Sequence, residues 1–119
     1  MFPYEIAFAD CDASPAITKS IVAKLKKIQK IYDRVTTAHV KVRMYKKGVK
    51  KIFDVHIQLD LPGATLYVQN RPTFNYAHTD IHIAIRDSFQ KMKRRLEDFV
   101  HQRVDASHAP APIDMQEAS

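Results

Sequence analysis

Apolar and polar positions alternate at the start of the chain: Tyr4, Ile6 and Phe8 are separated by Glu5 and Ala7, the two-residue period of a half-buried strand. Asp12-Ala13-Ser14-Pro15 breaks that period. The break reads as a helix start, because a Ser14 hydroxyl can satisfy an orphan backbone N–H and Pro15 fits the first helical position. Ile17, Ile21, Leu25, Ile28 and Tyr32 then recur at steps of four and three, which predicts an amphipathic helix ending near Asp33. Alternation returns from His39 to Tyr45 and again from Phe53 to Leu61, two strands joined through Lys46-Lys47-Gly48-Val49-Lys50-Lys51. Pro62-Gly63 signals a turn, after which Ala64, Leu66 and Val68 mark a fourth strand. A loop from Asn70 to His78 leads to a second helix, capped by Thr79 or Asp80. Its apolar side holds Ile81, Ile85, Ser88, Phe89, Met92, Leu96, Phe99 and Val100. Asp105 to Ser119 has no periodic apolar pattern and contains Pro110 and Pro112, so a folded domain over residues 1–103 and a flexible acidic tail over 104–119 are expected.

The order β-α-β-β-β-α belongs to the α+β class and narrows the topology. A helix between the first two strands makes them parallel within one sheet, whereas the short turns that follow make strands two, three and four an antiparallel meander. The expectation is a four-stranded mixed sheet with both helices packed on one face and the other face, carrying Lys41, Arg43, Tyr45, Asp54, His56, Gln58, Asp60 and Tyr67, open to solvent.

A length of 119 residues at 45% apolar content is enough for one core and too short for two domains. The lone Cys11 allows no internal bridge, as is usual in reducing compartments, and no segment approaches the roughly 20 apolar residues of a membrane helix. A soluble cytoplasmic protein without membrane contact is therefore expected. Gly48 and Gly63 are the only glycines and neither sits in a glycine-rich phosphate loop.

Charge changes the picture. The net +6 is concentrated in residues 19–51, where twelve Lys and Arg face only Asp33, and returns in Arg86, Lys91, Lys93, Arg94, Arg95 and Arg103. Such a concentration attracts polyanions through counterion release and long-range steering. On the first helix Lys19, Lys26 and Lys30 fall opposite the apolar arc, and Lys24 and Lys27 step round one flank, with no acidic residue at i+4 before Asp33. An uncompensated row of like charge destabilises a helix slightly and is accounted for by an external anion, or by an ordinary solvated face. The Lys-rich connection between strands two and three reads equally as edge protection. The mixed charge of the open sheet face and its lack of an aromatic pair direct nucleic-acid binding to the helix side.

Signals for catalysis are sparse. Cys11, Ser14 and the histidines form no nucleophile motif, and Cys11 reads as a buried strand end. His78 and His82 have the i, i+4 spacing of zinc ligands without a supporting glutamate or cysteine pair, so neither a metal, a cofactor nor a small-molecule substrate is expected.

Ser14-Pro15-Ala16-Ile17 followed by Lys24-Leu25-x-Lys27-Ile28-x-Lys30, then Asp80-Ile81-His82-Ile83-Ala84-Ile85 and Lys91-Met92-x-Arg94-Arg95-Leu96, resembles the ribosome hibernation-promoting factor and ribosome-associated inhibitor family, formerly the sigma-54 modulation proteins, in its short form. The resemblance spans about residues 4 to 101; His82 stands where the family has Tyr, and the segment from Val68 to Asp80 is longer than the family's. It implies a fold like a double-stranded-RNA-binding domain with an extra strand. It also implies a non-enzymatic factor that binds the small ribosomal subunit and its 16S rRNA in the mRNA and tRNA channel, inhibits translation in stationary phase or stress, and is a monomer off the ribosome. The RNA contacts it implies are Lys24, Lys27, Lys30, Lys91, Arg94 and Arg95, to which charge adds Lys19, Lys26, Arg86 and Lys93. The alternatives are a general binder of structured RNA without a ribosomal site, and a small metal-dependent or nucleophilic enzyme.

Overall fold

The computed structural model describes residues 1–69 and 80–108. It contains β1 (Tyr4–Ala9), α1 (Pro15–Ile31), β2 (Thr37–Lys47), β3 (Lys50–Leu61), β4 (Ala64–Val68) and α2 (Ile81–His108), in the expected β-α-β-β-β-α order. The strands lie β1-β2-β3-β4, with β1 parallel to β2 and the remaining pairs antiparallel.

Local chemistry sets each helix boundary. The Ser14 Oγ accepts from the Ile17 N–H at 3.3 Å with Pro15 directly behind it, and α1 closes where Tyr32 turns extended while its N–H donates to the Ile28 carbonyl. Asp80 starts α2: its Oδ1 accepts from the His82 N–H at 2.8 Å and its carbonyl from the Ala84 N–H. That helix runs to His108, five residues past the expected domain end at Arg103. Residues 109–119, the rest of the expected tail, and the loop 70–79 lie outside the described residues.

Both helices cover one face of the sheet. Ile21 and Leu25 of α1 are fully buried with Val40 and Val42 of β2 and with Val55, Ile57 and Leu59 of β3, and α2 closes the same core with Ala84, Ile85, Met92 and Leu96. Two cross-links fix the helices: the buried Ser88 hydroxyl donates to the Val55 carbonyl at 3.2 Å, and Tyr32 packs edge-on against Phe99 with ring centroids 6.0 Å apart.

The central hairpin differs from the sequence expectation. The β2–β3 ladder continues through Lys46↔Lys51 and Lys47↔Lys50, so the connection is the two-residue turn Gly48-Val49 rather than a six-residue loop. Gly48 supplies the left-handed φ of +61° that such a turn needs.

The face away from the helices is also less open than its alternation suggests. Asp54 pairs with Arg43 on that side as expected, yet it is only 1% exposed, as is its neighbour on the same side, Ile52. Alternation dictates which way a side chain points; it says nothing about how deeply that face is covered.

Candidate nucleic-acid interface

α2 packs over β3 and β4, and α1 lies beside it on the same face of the sheet with a groove between them. Its floor is Ile28, Ile31 and Phe89 and its walls are Lys24 and Lys27 from α1 and Arg86, Gln90 and Lys93 from α2, around a volume of about 200 Å³. The core face of each helix is occupied, so the next residues round the cylinder, roughly 100° apart per position, must line its flanks. Four of the ten expected contact residues therefore meet here from opposite sides.

The others distribute by the same arithmetic. Lys19, Lys26 and Lys30 are exposed along the outer side of α1, and Arg94 is exposed on the outer side of α2, nearly opposite buried Met92 and Leu96. Lys91 and Arg95 sit one turn apart on the α2 flank that faces β4. The Arg95 Nη1 donates to the backbone carbonyl of Tyr67, so this guanidinium ties α2 to the edge strand and leaves only its remaining N–H groups for a ligand. Arg86 contacts the carboxylate of its neighbour Asp87 at 3.3 Å, a partly exposed pair worth little in water.

Signs are unevenly balanced across this surface. On α2 the basic run is followed at once by exposed Glu97 and Asp98, whereas α1 carries no acidic residue between Pro15 and Ile31. The stronger uncompensated field belongs to α1.

The opposite face of the sheet has another character. Glu5, His39, Lys41, His56, Gln58 and Tyr67 border a hollow of about 240 Å³. His39 lies 3.3 Å from Glu5 and 3.7 Å from Asp60, while Arg43 is held by Asp10 at 3.2 Å and stacks over the Tyr45 ring. Arg43 there already faces a carboxylate and an aromatic ring, and Glu5, Asp10 and Asp60 add negative charge, which makes a polyanion a poor fit.

Asp60 organises the hairpin ends. Its carboxylate accepts from Thr37 at 2.6 Å, Gln58 at 3.0 Å and Thr65 at 3.3 Å, and these bonds, Thr37 foremost, hold its pKa below the ordinary carboxylate value. Cys11 is half-buried, with its Sγ 3.8 Å from the Val42 carbonyl, and burial raises its thiol pKa. A reactive thiolate would need the reverse shift. Among the described residues no three His, Cys, Asp or Glu side chains are grouped to hold a metal, and His78 lies outside them.

Gln90 and the apolar floor of the groove, Ile31 and Phe89, were not expected from the sequence. Helical spacing puts Phe89 on the apolar side of α2 and Ile31 and Gln90 off the core stripes; that the three meet across one groove follows only from how the two helices pack.

The family model described as sigma 54 modulation protein / S30EA ribosomal protein matches residues 4–104, which covers all four strands, α1, and α2 as far as Val104. The chain belongs to this family. It is a family of ribosome-associated proteins rather than of enzymes. Among solved structures, the Thermus thermophilus Protein Y N-terminal domain superposes with a TM-score of 0.63 at 21% identity, covering 83% of this chain and 99% of that one. A ribosomal subunit interface protein from Coxiella burnetii superposes with a TM-score of 0.63 at 22% identity, covering 82% and 98%. At these identities the likeness establishes the shared fold. No curated protein matches the chain significantly.

Proposed function

We propose that the chain binds the small ribosomal subunit through 16S rRNA in the mRNA and tRNA channel, occludes that channel, and so silences translation in stationary phase or stress. It acts in the cytoplasm as a monomer and performs no chemistry. The observation that carries this reading is the basic groove between α1 and α2, where Lys24, Lys27, Arg86 and Lys93 converge over an apolar floor. Convergent cations from two rigid helices can track a phosphate backbone without needing base edges. Family membership and the likeness to a ribosomal subunit interface protein from Coxiella burnetii support a ribosomal partner over free RNA.

Sedimentation with purified ribosomal subunits, together with translation in a reconstituted system, tests it. The chain should co-migrate with the small subunit at physiological salt and inhibit initiation, and the Lys24→Ala, Lys27→Ala, Lys30→Ala triple variant should lose most of both. Removing one lysine–phosphate pairing should flatten the salt dependence of log affinity by about 0.7 to 0.9. Equal binding to any structured RNA, with no preference for the subunit, would replace the reading with a general RNA binder.

A further inference from the structure

We propose that the groove between α1 and α2 seats one unstacked adenine of a single-stranded RNA segment, with Gln90 reading its edge; this rests on the ribosomal reading above and adds a base to it. The groove is built from matched ridges. Positions 24, 27, 28 and 31 of α1 and positions 86, 89, 90 and 93 of α2 line it with the same i, i+3, i+4, i+7 spacing. Ser14 and Ile81 border one hollow where the two helices start, and Tyr32 meets Phe99 further along, so the helices run in the same direction. Lys24 and Arg86 therefore stand at one end of the groove and Lys93 at the other, with the apolar floor between them.

Three properties select the occupant. The lining ridge of each helix spans seven residues, about 10 Å, whereas a double-stranded-RNA module covers about 16 base pairs. The volume of about 200 Å³ lies below the roughly 300 to 1,000 Å³ of pockets for drug-sized ligands, so a single ring system fills it. On the floor, Ile28 and Phe89 belong to the core, 3% and 6% exposed, but Ile31 is only half-buried and stays open beside them. A phosphate lowered onto this floor would shed water without gaining donors, while the face of a base gains from the same contact. The phosphates accordingly belong on the rim with the cations. They position the strand, and the base beneath them specifies it.

Gln90 decides which base. It is exposed on the wall of the groove and is the one neutral hydrogen-bonding side chain among the described lining residues. Its amide sets a donor beside an acceptor, which matches the N7 acceptor and the N6 amino donor of adenine. Guanine offers two acceptors on that edge and calls for a bidentate arginine. The Arg86 Nε and Nη2 are both turned to the Asp87 Oδ1, at 3.4 and 3.3 Å, so that fork is engaged within its own helix. Lys93 is a point charge and has no fork. An unpaired base presents its face and its edge together, as this floor and wall require.

The test titrates the full chain by fluorescence anisotropy, over a salt series, with labelled short oligouridines whose central base is uracil, adenine or guanine, and with the adenine probe paired to its complement. The central adenine should tighten binding about tenfold over uracil or guanine, as one bidentate pair predicts, and pairing should abolish the advantage. Gln90→Ala should reduce the preference to about twofold or less at parental melting temperature and salt slope. The α1 triple variant should do the reverse, flattening the slope and keeping the preference. On small subunits, a Gln90→Cys variant in a Cys11→Ser background, carrying a benzophenone, should crosslink at or beside an unpaired adenine of the rRNA. A preference for guanine, equal affinity for the paired probe, an undiminished preference in Gln90→Ala, or crosslinks confined to ribosomal proteins would each overturn the base site. Any of these with co-sedimentation intact leaves the ribosomal reading standing alone, whereas adenine preference in a parent that fails to co-sediment overturns that reading and keeps the base site.

Discussion

Asp60 shows how one side chain can couple three strands. It sits near the end of β3, accepts from Thr37 on β2 and Thr65 on β4, and its backbone carbonyl accepts from both the N–H and the hydroxyl of Thr36 at 2.8 Å. Because its pKa is lowered in the fold, it stabilises the native state at pH values above the ordinary carboxylate value, and that contribution is lost as pH falls through the folded value. Thr37→Val removes the foremost cause. Near neutrality the variant should lose about 1 kcal/mol, and its acid unfolding midpoint should move to higher pH. The difference from the parent should vanish once both carboxyls are protonated, which urea titrations at neutral and strongly acid pH would check. At Arg95 and Arg94, adjacent cations have different work. Arg95→Ala should lower the melting temperature by roughly 4 °C by freeing the Tyr67 carbonyl. Arg94→Ala should leave melting unchanged and weaken small-subunit binding. Calorimetry and binding on the same two variants separate the roles; a stability loss at Arg94 would contradict its outward placement.

Among the elements, α1 is the one whose two sides are most sharply divided. Its buried residues Ile17, Ile21, Leu25 and Ile28 follow one stripe, and its five lysines avoid that stripe. Core and ligand functions should therefore separate by mutation. Leu25→Ala opens a cavity under a fully buried position and should cost about 2 to 5 kcal/mol, whereas the Lys24, Lys27, Lys30 triple alanine variant should unfold at nearly the parental temperature. Alanine also raises helix propensity slightly and removes like-charge repulsion, so a small stabilisation of the triple variant would fit the same physics. Loss of the α1 lysines should impair binding more than loss of Lys91 and Lys93, because Glu97 and Asp98 already offset part of the α2 charge.

At the scale of the whole molecule, charge is segregated by the sheet. Lys24, Lys27, Arg86 and Lys93 converge on the helix side, while on the other side Glu5 and Asp60 lie beside His39 and Asp10 pairs with Arg43. An approaching polyanion is therefore oriented before contact, and association should slow steeply with ionic strength. Residues 109–119 carry Asp114 and Glu117 and no Lys or Arg. Truncation after His108 should leave melting temperature and small-subunit affinity within error of the full chain, measured side by side. A loss of affinity would bring that segment into the binding unit.

The sequence alone determined the element order, because a period of two and a period of 3.6 are written into successive apolar positions, and Ser14-Pro15 and the pair Thr79-Asp80 offer capping chemistry where the two helices start. It also determined that α1 bears unmatched positive charge. Strand order decided the rest. Lys24 meets Arg86 and Lys93 only because the parallel β1–β2 pair sets α1 beside α2, a relation between residues some sixty positions apart that no local pattern records. Asp54 reads as a solvent-facing strand residue and is buried, since alternation gives direction without depth. Arg95 reads like Arg94 and is turned to β4, since a run of consecutive basic residues winds round the helix and only packing tells which of them meets a neighbour. The hairpin lysines read as a loop and are paired rungs, because a ladder extends for as long as both chains can supply hydrogen bonds, a property of two strands together rather than of either one.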